Sequence, residues 1–69
     1  MNIRGILGVN VRKAREQRGW SQEELADRSG IHRTYISGVE RGARNPTIEI
    51  IAAIAGALDL PVAVLVGNA

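Results

Sequence analysis

Gly19, Gly30 and Gly42 cut a helix-forming chain into short pieces, and this punctuation limits the fold more than any other feature. Before Gly19, the residues Leu7, Val11 and Ala14 recur at i, i+4 and i+7, the spacing of one helix face. A glycine just past such a run supplies the left-handed backbone that ends a helix. Ser21-Gln22-Glu23-Glu24 then reads as a capping box, with Ser21 at the cap and Glu24 reaching back to it. That second helix runs to about Ser29, with Leu25 and Ala26 inward, and Gly30 breaks it. Ile31 is expected as a core residue in the turn. A third helix follows over about 32–41, from Arg33 in its first turn to Arg41, with Ile36 and Val39 on its inner side and Gly42 as its cap.

Asn45 precedes Pro46, which disfavours helix there. Thr47 caps a fourth helix, and Glu49 lies in its first turn, where the dipole favours an acid. Ile50, Ile51, Ile54 and Leu58 form its apolar face. Asp59-Leu60-Pro61 starts a last short helix that ends at Val66. No sustained alternation of β-branched residues marks a strand. The expectation is one all-α domain of five helices over residues 1–69.

A chain of 69 residues has little to hold it together. At this size only about 60% of the surface exposed by the unfolded chain is buried. There is no cysteine, so neither disulfides nor thiolate metal sites can staple the fold. There is no phenylalanine, and Trp20 and Tyr35 are the only aromatic residues, so the core must be aliphatic. Oligomerisation is the remaining usual source of stability. No apolar run reaches the ~18 residues of a membrane span, and Met1-Asn2-Ile3-Arg4-Gly5 lacks the long apolar stretch of a signal peptide. A cytoplasmic protein is expected, with no membrane contact.

The charge is unevenly placed. Residues 1–44 hold all nine Lys and Arg and five of the seven acids, a net of +4. Residues 45–69 hold only Glu49 and Asp59, a net of −2, so the two parts sum to the overall +2. A basic front can meet a polyanion, and an apolar back can meet the core or another protein.

Two short helices joined by a tight glycine turn make the geometric core of a helix-turn-helix, in which the first helix braces the second in the DNA major groove. Gly19-Trp20-Ser21-Gln22-Glu23-Glu24-Leu25-Ala26, Gly30-Ile31, Tyr35-Ile36-Ser37, Val39-Glu40-Arg41-Gly42 and Asn45-Pro46-Thr47 follow in that order. In these blocks the chain resembles the Cro/phage-repressor family, over about residues 5 to 66. The stretch Arg33 to Arg41 is also similar to the recognition helix of restriction–modification controller proteins. The resemblance implies a lambda-repressor-like fold that binds an inverted-repeat operator in double-stranded DNA as a homodimer. Controller proteins further imply autoregulation and control of a neighbouring endonuclease gene.

Arg33, Thr34 and Ser37 are the candidate base readers. Arginine matches guanine O6 and N7 bidentately, and threonine offers its methyl to thymine. By resemblance, Gln22 contacts a phosphate at the helix N-terminus, and Arg41 and Arg44 contact phosphates or the minor groove from the loop after the third helix. Tyr35 either stands against a phosphate or packs its ring on the second helix. Gly38 removes one candidate reader; it either allows close approach of the backbone to DNA or is tolerated variation. Arg12, Lys13 and Arg18 are weaker candidates, since exposed basic residues on helices are usually only solvated. The resemblance pairs Arg15 with Glu40 as a structural ion pair. Val62, Leu65 and Val66 are expected at the dimer interface.

Catalysis is not expected, because one histidine and no cysteine provide no convergent set of reactive groups. His32 is expected as a surface or capping residue, and no metal, cofactor or small-molecule ligand is expected. The rival reading is a protein-interaction module or antitoxin component on the same fold. Arg33-Thr34 and the basic front argue against it.

Overall fold

The computed structural model describes residues 2–67, which form five helices and no strand. They are α1 (Ile3–Gln17), α2 (Gln22–Ser29), α3 (Arg33–Glu40), α4 (Ile48–Leu58) and α5 (Val62–Val66). No helix among the described residues is long and apolar enough to cross a membrane.

Each of the first four helices begins at a side chain that accepts an otherwise orphaned backbone N–H. Asn2 accepts from Gly5 at 3.0 Å, Ser21 from Glu24 at 3.1 Å, His32 Nδ1 from Thr34 at 3.2 Å and Thr47 from Ile50 at 3.3 Å. Only half of the expected capping box forms. The Glu24 carboxylate turns away from Ser21 and accepts from Arg28 Nε at 2.7 Å, since a full cation one turn along outcompetes a backbone amide. Gly42 ends α3 at φ +71°, with its own N–H on Val39 O and the Ala43 N–H on Gly38 O. This pair of bonds is the Schellman arrangement. At the end of α4 the sequence has no glycine, and Asp59 takes the left-handed conformation instead, at φ +56°.

The core is aliphatic. α1 contributes Leu7, Val11 and Ala14, α2 contributes Leu25 and Ala26, and α3 contributes Ile36 and Val39. Ile54, Ala55 and Leu58 come from α4 and Leu65 from α5. Ile31, Ile50, Ile51 and Trp20 pack against this cluster partly buried. α1 lies against both α3 and α5, and α2 lies against α3 and α4.

α1 and α3 approach so closely that Gly8 is the contact point. A Cβ there would sit 2.5 Å from the Val39 carbonyl oxygen and 2.6 Å from that of Glu40. Those are backbone atoms, so the position admits no side chain unless the helices separate.

Leu65 corrects an expectation. It is 0% exposed and fills the protomer's own core, so it is not available to a partner. α5 has only five residues, and Leu65 is its one fully buried side chain. Val62 and Val66 are partly buried beside it, whereas Val64 is 50% exposed. Asn10 completes the attachment. Its Nδ2 donates to the carbonyls of Leu65 and Gly67, each at 2.9 Å, which are among those a helix C-terminus leaves unpaired.

Candidate nucleic-acid interface

The short helix α3 has two sides with different duties. Ile36 and Val39 are sealed in the core. Arg33 and Thr34 are exposed, and Ser37 is half-buried with its hydroxyl accepting from Arg41 at 3.1 Å. Arg33, Ser37 and Arg41 stand at i, i+4 and i+8, so they form one stripe along the outer side. The structure therefore brings together Arg33, Thr34, Ser37 and Arg41. Arg33, Arg41 and Arg44 form no ion pair among the described residues. Their charge is not cancelled by a neighbouring carboxylate.

A buried junction holds this helix in place. Arg15 on α1 donates to Glu40 through Nε at 2.7 Å and through a terminal nitrogen at 2.9 Å. Its other terminal nitrogen donates to the Trp20 carbonyl at 2.7 Å. The side chains of Arg15 and Glu40 are only 11% and 4% exposed. The hydrogen bond with Glu40 raises the Arg15 pKa from its ordinary value against the opposing effect of burial, and the Glu40 charge adds to the rise. Gln22 Nε2 donates to the same carboxylate at 3.1 Å. The carboxylate of Glu40 thus ties α1, α2 and α3 together. The family resemblance implies a phosphate contact for Gln22. Here one amide N–H is committed to Glu40, and the second remains for another acceptor.

Arg44 lies in the loop after α3 but folds back over it. Its Cζ is 5.0 Å from the centroid of the Tyr35 ring, within cation–π range. Its stem crosses Gly38, where an added Cβ would be 2.7 Å from Arg44 Cγ. Glycine inside a helix costs about 1 kcal/mol against alanine. Here the space it leaves is occupied by the chain's own arginine. Tyr35 is half-buried beneath that guanidinium.

Other basic residues have local partners. Arg12 pairs with Glu16 on the exposed side of α1 at 3.2 Å. Arg18 donates to the carbonyls of Ala14 and Leu58, which joins the end of α1 to the end of α4. Arg28 stands 4.2 Å from the Trp20 ring centroid, with Arg18 farther off at 5.9 Å. His32 caps α3 through Nδ1.

The comparisons with known proteins point the same way. A family described as helix-turn-helix matches residues 11–65. The chain is 48% identical over 62 residues to the control protein C.SmaI of Serratia marcescens, covering 90% of this chain and 74% of that protein. The restriction–modification controller protein C.AhdI of Aeromonas hydrophila superposes with a TM-score of 0.87 at 42% identity, covering 90% of this chain and 94% of that one. The controller protein C.Esp1396I, solved as a tetramer with its natural 35 base-pair operator, superposes with a TM-score of 0.84 at 36% identity. That match covers 91% of this chain and 83% of C.Esp1396I.

Proposed function

Since this chain belongs to the Cro/C1-type helix-turn-helix family, we propose that it is a cytoplasmic transcriptional regulator of the restriction–modification controller kind. It binds an inverted-repeat operator in double-stranded DNA as a homodimer and works by occupying a promoter, without catalysis. The observation that carries this reading is the unpaired cationic stripe on the outer side of α3, on a helix fixed from behind by Glu40. A helix of this kind enters the major groove with its N-terminal residues against base edges. Arg33 and Thr34 occupy that end and are the principal readers, with Ser37 one turn further in. Gln22, Tyr35, Arg41 and Arg44 hold the phosphates on either side.

Two substitutions separate reading from holding. Arg33→Ala is expected to cost about 1–3 kcal/mol on the cognate operator and to relax sequence preference. Arg44→Ala is expected to weaken cognate and unrelated duplexes by similar factors and to lower the salt slope by about 0.9 for one lost phosphate contact. Mobility shift on the gene's own upstream DNA against unrelated duplex, at two salt concentrations, reads both. If wild-type protein shows no preference between the two duplexes, it is not a sequence-specific regulator.

Dimerisation uses the exposed edge of α5. Val64 is 50% exposed on the side of α5 turned away from Val62 and Val66, which pack against the protomer's own core. Two-fold dimers are the commonest oligomers, and their half-sites lie about one DNA turn apart, ~34 Å. Val64→Glu removes two valine contacts per dimer at about 1.5 kcal/mol each, roughly a hundredfold in dissociation constant. Sedimentation should then show a folded monomer that binds the operator weakly. An unchanged dimer would place the interface elsewhere.

A further inference from the structure

The geometry points to Gly38 as a positioning residue for Arg44: the missing side chain opens a slot across α3 that holds the arginine on the Tyr35 ring before DNA arrives. This assignment rests on the DNA-binding reading and adds to it a residue that touches no DNA. Three observations carry it. Gly38 is buried although it lies in the helix that carries the reading stripe. Beyond its chain neighbours and the backbone of its own helix, the three atoms nearest an added Cβ all belong to Arg44: Cγ at 2.7 Å, Nε at 3.1 Å and Cδ at 3.4 Å. The guanidinium that follows this stem sits 5.0 Å from the Tyr35 centroid.

An arginine in an exposed loop normally samples many rotamers, and fixing it at the moment of binding costs conformational entropy. The slot and the ring fix it in the free protein. Gly38 and Arg44 therefore act as one unit. A side chain at Gly38 does not obstruct DNA; it evicts Arg44.

The test is a double-mutant cycle on operator affinity with Gly38→Ala and Arg44→Ala. Gly38→Ala alone should weaken binding about two- to fivefold, the scale of one exposed cation–π contact. In the Arg44→Ala background the same substitution should cost nothing more. A loss of equal size in both backgrounds would mean that Gly38 instead admits the DNA backbone, and the assignment would fail. No loss in either background would make the glycine incidental, which also overturns it.

Thermal melting controls for folding, since alanine is the better helix former and Gly38→Ala should melt at or above wild type. If it melts lower, the cycle is measured at a temperature where all four proteins are fully folded, with the same expectation of no further loss once Arg44 is gone. A readout without DNA is the Arg44 side-chain proton shift in solution. Wild type should show an upfield ring-current displacement that Gly38→Ala abolishes. If wild type binds no duplex, the functional reading fails, while this shift still decides whether Gly38 seats the arginine. Its absence in wild type would refute the assignment.

Discussion

Replacing Glu40 with alanine is expected to destabilise the fold by about 3–5 kcal/mol, the usual cost of removing one partner from a buried ion pair. Arg15 would keep its charge with only the Trp20 carbonyl as partner, in a place where its side chain is 11% exposed. At ~0.05–0.15 kcal/mol per residue, a domain of this size has roughly 3–10 kcal/mol in total. Urea unfolding followed by circular dichroism should find the stability of Glu40→Ala lower by that amount, leaving it mostly unfolded at room temperature if the wild type lies at the low end of this range. A loss under about 1 kcal/mol would show that the junction is dispensable, as exposed pairs usually are. Raising the pH does not substitute for the mutation. The folded pKa of Arg15 is raised, so its stabilising contribution is present below the unfolded value and is lost only as pH climbs through the folded one. That window lies beyond any ordinary working pH, and the contribution is flat around neutrality.

A methyl group at Gly8 is expected to reverse the usual sign of a glycine-to-alanine change in a helix. On propensity alone the substitution gains about 1 kcal/mol. Here the new Cβ would lie 2.5 Å from one backbone carbonyl oxygen of α3 and 2.6 Å from the next, and neither can rotate aside. Overpacking of this kind costs about 1–3 kcal/mol, occasionally more. Gly8→Ala should therefore lower the melting temperature, and Gly8→Val should lower it further. Gly56 on α4 is the matched control. Nothing lies within 4 Å of its added Cβ, so Gly56→Ala should stabilise by the propensity term. If Gly8→Ala melts at or above wild type, α1 and α3 do not cross in backbone contact at Gly8. Operator affinity should fall with Gly8→Ala as well, because the displaced atoms are the backbone of α3 itself.

The features legible in the sequence were those with local causes. Ser21, Thr47, Gly30 and Gly42 act on backbone groups within a few residues, so helix ends could be read without knowing the fold. The inward stripe of α3 followed from spacing, and the pairing of Arg15 with Glu40 came from family resemblance. What escaped depends on which elements meet. Asn10 is one polar residue on an amphipathic helix, and only the docking of α5 gives it carbonyls to hold. Gly8 matters only because the backbone of α3 passes over it. Glu24 had two partners in reach, and the sequence did not rank them. Leu65 was misplaced because Val62, Ala63, Val64, Leu65 and Val66 include no polar residue, so nothing in that string marks an inner side. The slot at Gly38 needed the return path of the loop before its occupant could be named.

The division of α3 into a sealed side and an open one has an evolutionary consequence. Arg33 and Thr34 have no part in the core, so point changes there are expected to cost little in folding and, on the proposed reading, to alter target preference. On that reading, target preference is expected to change by swapping these letters, whereas changes at Ile36, Val39 and Glu40 are expected to cost the fold. Gly38 and Arg44 behave differently. Each constrains what the other may become, so they are expected to change together or not at all.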